Sequence, residues 1–361
     1  MKILIVFNHP APYKVKLFNE LAKKVDLDVI FERKSARNRP VDFYKDNEYK
    51  FNCMFLKHGA FGDENSNTGE LKRFLKKNHE KYDLIIMNGY STLSEMRAIK
   101  YLKKHHIRFG LYINGGIVKN DSKLKFNLKK SFISSADYYF SPSDEANKYL
   151  VHYGANPEKI NIYSYSTIYE SDILSKPIGE KEKESLKAKY GLPNKDVFIS
   201  ASQFIERKNI LFLLDCFKGL DKHLVLVGSG PQKEEYLNFI KDNQMDNVEI
   251  RDYLPKEELF ALLKACDYFI TLSKEDIYGH TINEAMANGL PVISSDKVVA
   301  AFKLIKNGEN GYIVPLEKED IVSKINLMST SMSKKALESA KENTVEKMAI
   351  EHLEIFERLK K

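Results

Sequence analysis

Residues 274–291, from Lys274 to Pro291, read KEDIYGHTINEAMANGLP, and the chain's architecture follows from them. Ahead of them Tyr268 to Leu272 (YFITL) is a β-branched and aromatic run suited to a buried strand, and Pro291 to Ser294 is another. One helix is predicted between the two strands. Thr281 fits its N-cap, Glu284 stands three residues on as in a capping box, Ile282, Ala285 and Met286 form an apolar face, and Gly289 with Pro291 ends it. The N–H groups after Gly279 then have no carbonyl in their own helix, and with the positive end of the helix dipole they make an anion seat. Asp276 and Glu284 bracket that seat as carboxylates, acceptors only, which suits the hydroxyl donors of a sugar or ribose beside a phosphate. The same two residues also read as a solvated loop acid and a helix cap, so the rest of the chain has to separate the readings.

At 361 residues the chain has room for two domains with sizeable cores, and 43% hydrophobic with 30% charged residues describes a globular protein. No apolar run approaches the ~20 residues of a membrane-spanning helix, and the opening MKILIVFNHPAPYK reads as a first strand rather than a signal peptide. Cys53, Cys216 and Cys266 are far apart and set among hydrophobic residues. They are expected as reduced core thiols of a cytoplasmic protein, with neither a disulfide framework nor a metal site.

The net charge of +7 is unevenly placed. Up to Tyr165 there are 29 Lys+Arg against 18 Asp+Glu, or +11, which leaves 28 against 32, or −4, of the totals of 57 and 50. The densest basic stretch, Lys119 to Phe132 (KNDSKLKFNLKKSF), interleaves lysines with Leu124, Phe126, Leu128 and Phe132. It reads either as a solvated helix or as peripheral contact with the anionic inner face of a cell membrane. Nucleic acid is not expected as a partner, because no recognition motif occurs and the 20 Tyr and 21 Phe are scattered.

Strands and helices alternate along two halves. Lys2–Phe7, Leu27–Phe31, Phe51–Leu56, Leu84–Met87, Phe109–Ile113, Tyr138–Phe140 and Ile160–Ser164 are predicted strands of the first, with Tyr13–Lys24 a helix. Val197–Ser202, Leu224–Val227, Val248–Ile250, Tyr268–Leu272, Val292–Ser295 and Tyr312–Val314 are those of the second, and a closing helix is expected over Ser333–Leu359. The pattern gives an α/β fold of two Rossmann-like domains with parallel sheets. Residues 1–168 form the first domain, the charged stretch 169–194 a linker, and 195–344 the second, with 345–361 a C-terminal helix that crosses back to the first.

Ligands of such units bind at the carboxyl ends of strands, and the second half offers three loops there. Gln203 to Asn209 (QFIERKN) carries Arg207 and Lys208, a fork and a point charge suited to a diphosphate. Gly228-Ser229-Gly230-Pro231 is a tight turn that admits a ligand closely, and the third loop is Asp276 to Glu284. Taken singly, the basic pair reads equally as exposed helix-end charge.

The ordered set Arg207-Lys208, VGSGP, DYFITLSKED, DIYGHTINEAMANGLPVISSD and NGENGYIVP resembles the nucleotide-sugar domain of glycosyltransferase family 4, retaining enzymes of the GT-B fold. MKILIVFNHPAPYKVKLFNELAKK, YDLIIMNGYS and SYSTIYESDILSKPI resemble, more loosely, acceptor domains of bacterial capsule and surface-polysaccharide members. The resemblance implies two domains facing across a cleft. It implies a donor site of Gln203, Arg207, Lys208, Gly228, Gly230, Asp276, Gly279, His280, Thr281 and Glu284, with Asp276 at the sugar, Glu284 on ribose hydroxyls and Lys208 on phosphate. Two positions depart from the family: Ser202-Gln203 replaces the usual Gly-Arg, and Asp276 replaces the usual Glu. Where the first domain often has His-Gly, Asn114-Gly115-Gly116 stands instead. His9, at the end of the first strand, is expected to contact the acceptor together with Asn114 and Gly115.

Catalysis is expected from Lys208, Asp276 and His9, without a cofactor, the substrate being a nucleotide-diphosphate sugar with UDP ranked ahead of GDP. The acceptor is expected to be a glycan or an undecaprenyl-linked glycan. Two other readings stay open: a nucleotide-sugar epimerase of related architecture, and a non-catalytic sugar-nucleotide-binding partner subunit.

Overall fold

The computed structural model describes residues 1–36, 44–45, 47–56, 69–116, 118, 120–276 and 278–360. Lys119 and Ile277, within two of the stretches quoted above, lie outside the described residues. The chain divides into two compact units, Met1–Tyr165 with Val345–Lys361, and Ser166–Thr344.

The first unit is built on a seven-stranded sheet of β1 (Lys2–Phe7), β2 (Asp26–Phe31), β3 (Asn52–Phe55), β4 (Leu84–Met87), β5 (Gly110–Tyr112), β6 (Tyr138–Ser141) and β7 (Ile160–Ile162), ordered β3-β2-β1-β4-β5-β6-β7. The second holds β8 (Val197–Ala201), β9 (His223–Val227), β10 (Val248–Arg251), β11 (Tyr268–Thr271), β12 (Val292–Ser295) and β13 (Gly311–Val314), ordered β10-β9-β8-β11-β12-β13. Every pairing in both sheets is parallel, with Ile5 between Val29 and Ile86, and Ile199 between Val225 and Phe269. Burial follows position in the sheet. Helices cover both faces of a parallel sheet, so central strands such as β4, β8, β9 and β11 are buried at every residue. The edge strands β3 and β10 are not. The thirteen predicted strands are therefore present, with ends moved by a residue or two where the ladder stops before the hydrophobic run does.

Two expectations need correction. The closing helix is not continuous from Ser333 to Leu359; it is two helices, Ser333–Lys341 and Val345–Leu359. The break comes where the Asn343 carbonyl accepts from Ser166 Oγ (2.7 Å) and Asn283 Nδ2 (2.7 Å), and so does not serve as a helix acceptor. Residues 169–194, read as a linker, contain a 3-10 turn, Glu170–Asp172, and the helix Glu180–Tyr190, which packs on the helix Lys256–Ala265. Lys256 Nζ lies 2.6 Å from Asp172 Oδ2.

The helix Val345–Leu359 packs on Pro12–Ala22 within the first unit. His352 is buried there; its Nδ1 donates to Met348 O (2.7 Å), since a carbonyl only accepts, and its Nε2 accepts from the Tyr112 hydroxyl (2.9 Å). Burial pushes its pKa down to about 3, which keeps it neutral. The same hydroxyl accepts from Lys14 Nζ (3.3 Å), a buried amine whose pKa burial pushes well down and which is held over the rings of Tyr112 (4.3 Å) and Tyr165 (4.1 Å).

Candidate donor site

In the second unit the carboxyl ends of β8, β9 and β11 lie side by side, and the three loops that leave them are locked by main-chain bonds. Ser202 N donates to Val227 O (3.0 Å), Phe204 N to Ser229 O (2.8 Å), and Gln232 N to Phe204 O (3.2 Å). Glycine makes this contact possible. A Cβ on Gly228 would stand 1.9 Å from Ser202 O, and one on Gly230 2.4 Å from Phe204 O.

After Gln203, which is exposed, Glu206–Lys208 forms a 3-10 turn that ends at Asn209, whose φ of 57° turns the chain into the helix Ile210–Phe217. This swing aims Arg207 and Lys208 at the loop after β11. Lys208 Nζ donates to Asp276 Oδ2, with side chains only 12% and 17% exposed. Arg207 Nη1 donates to Glu275 O (3.1 Å) and lies 4.0 Å from Asp276 Oδ1. Asp276 is itself fixed by its backbone: its N–H donates to Lys297 O (3.1 Å), and Ala300 N donates to Tyr278 O (2.7 Å) two residues on.

The helix that follows is His280–Ala287, and its N-cap is Gly279, at φ 94° with no side-chain cap. Thr281 is thus not the N-cap but lies inside the first turn. The cause is steric: a Cβ at position 279 would sit 2.3 Å from Val298 Cγ1, so glycine makes the turn and the helix starts two residues early. The shift also decides what Glu284 does. A capping box needs the third helical residue, here Ile282, and Glu284 lies two residues beyond it. Its Oε1 instead accepts from Thr167 Oγ1 (3.1 Å), so Glu284 is not a helix cap.

Thr167 was not singled out from the sequence, because no local pattern links it to a residue 117 positions away. Its neighbour Ser166 is tied to the same helix, accepting from Asn283 Nδ2 (3.1 Å). The NGENG turn serves β13: Asn310 bonds Lys306 N (2.8 Å) and Leu304 O (2.9 Å), and Asn307 Oδ1 accepts from Ile313 N (2.7 Å).

A family model for glycosyl transferases group 1 matches residues 182–347, a span that holds all three loops. The alpha-monoglucosyldiacylglycerol synthase of Streptococcus pneumoniae is 29% identical over 255 residues, 64% of this chain and 55% of that protein. A glycosyltransferase of Methanocaldococcus jannaschii is 22% identical over 79% of this chain and 78% of its own length. The structure of Anabaena HepE in complex with UDP superposes with a TM-score of 0.79 at 16% identity, covering 99% of this chain and 100% of that one. The chain therefore has the GT-B fold outside the matched span as well as within it.

In the first unit, His9, Asn114 and Gly115 follow β1 and β5 at the carboxyl edge. His9 Nδ1 lies 3.1 Å from the Tyr44 hydroxyl, and Asn114 Nδ2 donates to Asn88 Oδ1 (2.9 Å) after β4. Beside them is a pair the sequence reading did not reach. Glu32 and Glu95, 1% and 0% exposed, meet at Thr92: Thr92 Oγ1 donates to Glu32 Oε1 (2.7 Å) and accepts from Glu95 N (3.1 Å), while Glu95 Oε2 accepts from Ser91 N (2.7 Å). Burial raises both carboxyl pKa values, and for Glu32 the charge of Glu95 raises it further, against the opposing pull of Arg33.

Proposed function

We propose that the chain is a retaining glycosyltransferase that moves a hexose or related sugar from UDP-sugar to a glycan or lipid-linked glycan in surface-polysaccharide synthesis. The observation that carries this reading is the meeting of Arg207, Lys208 and Asp276 in front of the helix that bears Glu284, all within the matched span. UDP is favoured over GDP because the HepE structures with the same fold hold UDP and UDP-glucose.

In this reading Lys208, Arg207 and the N-terminus of His280–Ala287 stabilise charge developing on the leaving diphosphate. Asp276 orients the sugar. Glu284, aimed by Thr167, accepts from ribose hydroxyls. The acceptor oxygen bonds to the anomeric carbon on the face from which the phosphate departs, the anomeric carbon–phosphate oxygen bond breaks, and the departing oxygen takes the acceptor proton. His9, Asn114 and Gly115 contact the acceptor. The departures at Ser202-Gln203 and Asp276 keep the donor-binding subunit as the competing reading, with the epimerase beside it.

Incubation with a panel of UDP- and GDP-sugars, with and without glycan and lipid-extract acceptors, separates the three. Release of UDP coupled to a glycosylated product supports transfer. Epimerised sugar without acceptor, or donor binding with no turnover on any acceptor, refutes it.

A further inference from the structure

The second unit begins at Ser166 and ends at Thr344, and near those two ends Ser166, Thr167, Asn283 and Asn343, all buried, form a polar cluster. Asn283 Nδ2 uses both its protons there, one on Ser166 Oγ (3.1 Å) and one on the Asn343 carbonyl (2.7 Å). Because a carbonyl only accepts, the second contact also fixes which end of the Asn283 amide is nitrogen. Ser166 Oγ accepts from Asn283 and from Ile168 N (3.2 Å) and donates to the Asn343 carbonyl (2.7 Å), so its one proton and both its lone pairs are used.

Residues 163–169 lie in no helix or strand, and Asn283 ties this stretch to the helix His280–Ala287. From the same stretch Thr167 Oγ1 donates to Oε1 of Glu284, the residue that follows Asn283 on that helix. Apolar side chains could fill this space without the cost of burying polar groups, but only a bonded network delivers the Thr167 hydroxyl to a set point. The carboxylate it holds is thereby fixed before any ligand arrives. A carboxylate free to turn about its last torsion loses that freedom on binding, and one already fixed loses less. The difference is greatest for two neighbouring hydroxyls, since both bonds depend on one carboxylate plane, whereas a single hydroxyl can follow the group as it turns.

We propose that Thr167 and Asn283 are positioning residues that set the Glu284 carboxylate to receive both hydroxyls of a ribose, so that the site selects ribonucleoside over 2′-deoxyribonucleoside diphosphates. Asn283 acts through Thr167, and Thr167 through Glu284. The proposal rests on the reading of Glu284 as the acceptor for ribose hydroxyls.

Calorimetric titration with UDP and with 2′-deoxy-UDP tests it, the measured quantity being the ratio of the two affinities. The parent is expected to prefer UDP about 10-fold or more, the range of a hydrogen bond to a charged group. Thr167→Val is expected to cut that ratio about fivefold, chiefly by weakening UDP, and Thr167→Ser, which keeps the hydroxyl, to restore it. Asn283→Ala is expected to cut the ratio about threefold alone and not at all when added to Thr167→Val, since the two act along one path. Circular dichroism and thermal melting show which variants have folded, and the Thr167 pair decides the matter if Asn283→Ala has not. A Thr167→Val protein with the parent's ratio, one that loses UDP and 2′-deoxy-UDP equally, or no rescue by serine would each overturn the proposal. Glu284→Ala in the same series tells the two readings apart. If it abolishes the preference while Thr167→Val keeps it, this proposal falls and the ribose reading stands; if Glu284→Ala keeps the preference, or the parent has none, both fall.

Discussion

Both units wind their strands along the same path, β3-β2-β1-β4-β5-β6 in one and β10-β9-β8-β11-β12-β13 in the other, yet their carboxyl edges are finished differently. In the second, glycines let three loops bond main chain to main chain, and charged side chains meet over them at Lys208 and Asp276. In the first, Asn114 meets Asn88 and His9 meets Tyr44 at the edge, while the carboxyl groups of Glu32 and Glu95 are buried. On the proposed function the second edge meets a diphosphate, which needs fixed charge, and the first an acceptor hydroxyl, which needs hydrogen-bonding groups.

The largest effect is expected where the second edge depends on glycine. Gly228→Ala forces a Cβ into Ser202 O, and chemical denaturation should show a loss of about 3 kcal/mol or more. A variant as stable as the parent would mean that the two loops do not touch as described.

Next comes charge. Lys208→Met should weaken UDP binding about 10- to 100-fold by calorimetry, the range of a charged hydrogen bond, and should also lower stability, since the Asp276 carboxylate loses its ammonium partner. His9→Ala, on the other unit, should leave UDP affinity alone. Equal effects from the two would erase the division between the edges.

The smallest effect belongs to the buried carboxyl pair. Its folded-state pKa values lie above that of an unfolded glutamate, so its contribution is full at pH below the ordinary glutamate value and is lost as pH rises through neutrality. Glu95→Gln should therefore flatten the decline in melting stability between acidic and mildly alkaline pH by about 2 kcal/mol. A slope identical to the parent's would show that burial does not raise the Glu95 pKa.

How much of this was legible in the sequence depended on distance along the chain. Strands such as Lys2–Phe7 and Val292–Ser295 were readable to the residue, because a doubly covered parallel strand is a plain hydrophobic run. The loops with Lys208, Gly228 and Asp276 were readable as well, since each follows such a strand. Interactions between distant segments were not. Thr167 with Glu284, the Asn343 carbonyl that ends a helix, and Glu32 with Thr92 and Glu95 all join residues at least 60 positions apart. The N-cap was misplaced for the same reason: the Val298 side chain that forces Gly279 to make the turn comes from the next loop.

On the proposed function Glu284 serves a ligand rather than its own helix. Calorimetric titration of the parent and of Glu284→Ala with UDP and a set of UDP-hexoses tests it most directly. Saturable binding by the parent that is lost in a folded Glu284→Ala variant is the predicted result. Equal affinities in the two proteins, or no binding of any UDP compound by the parent, would contradict it.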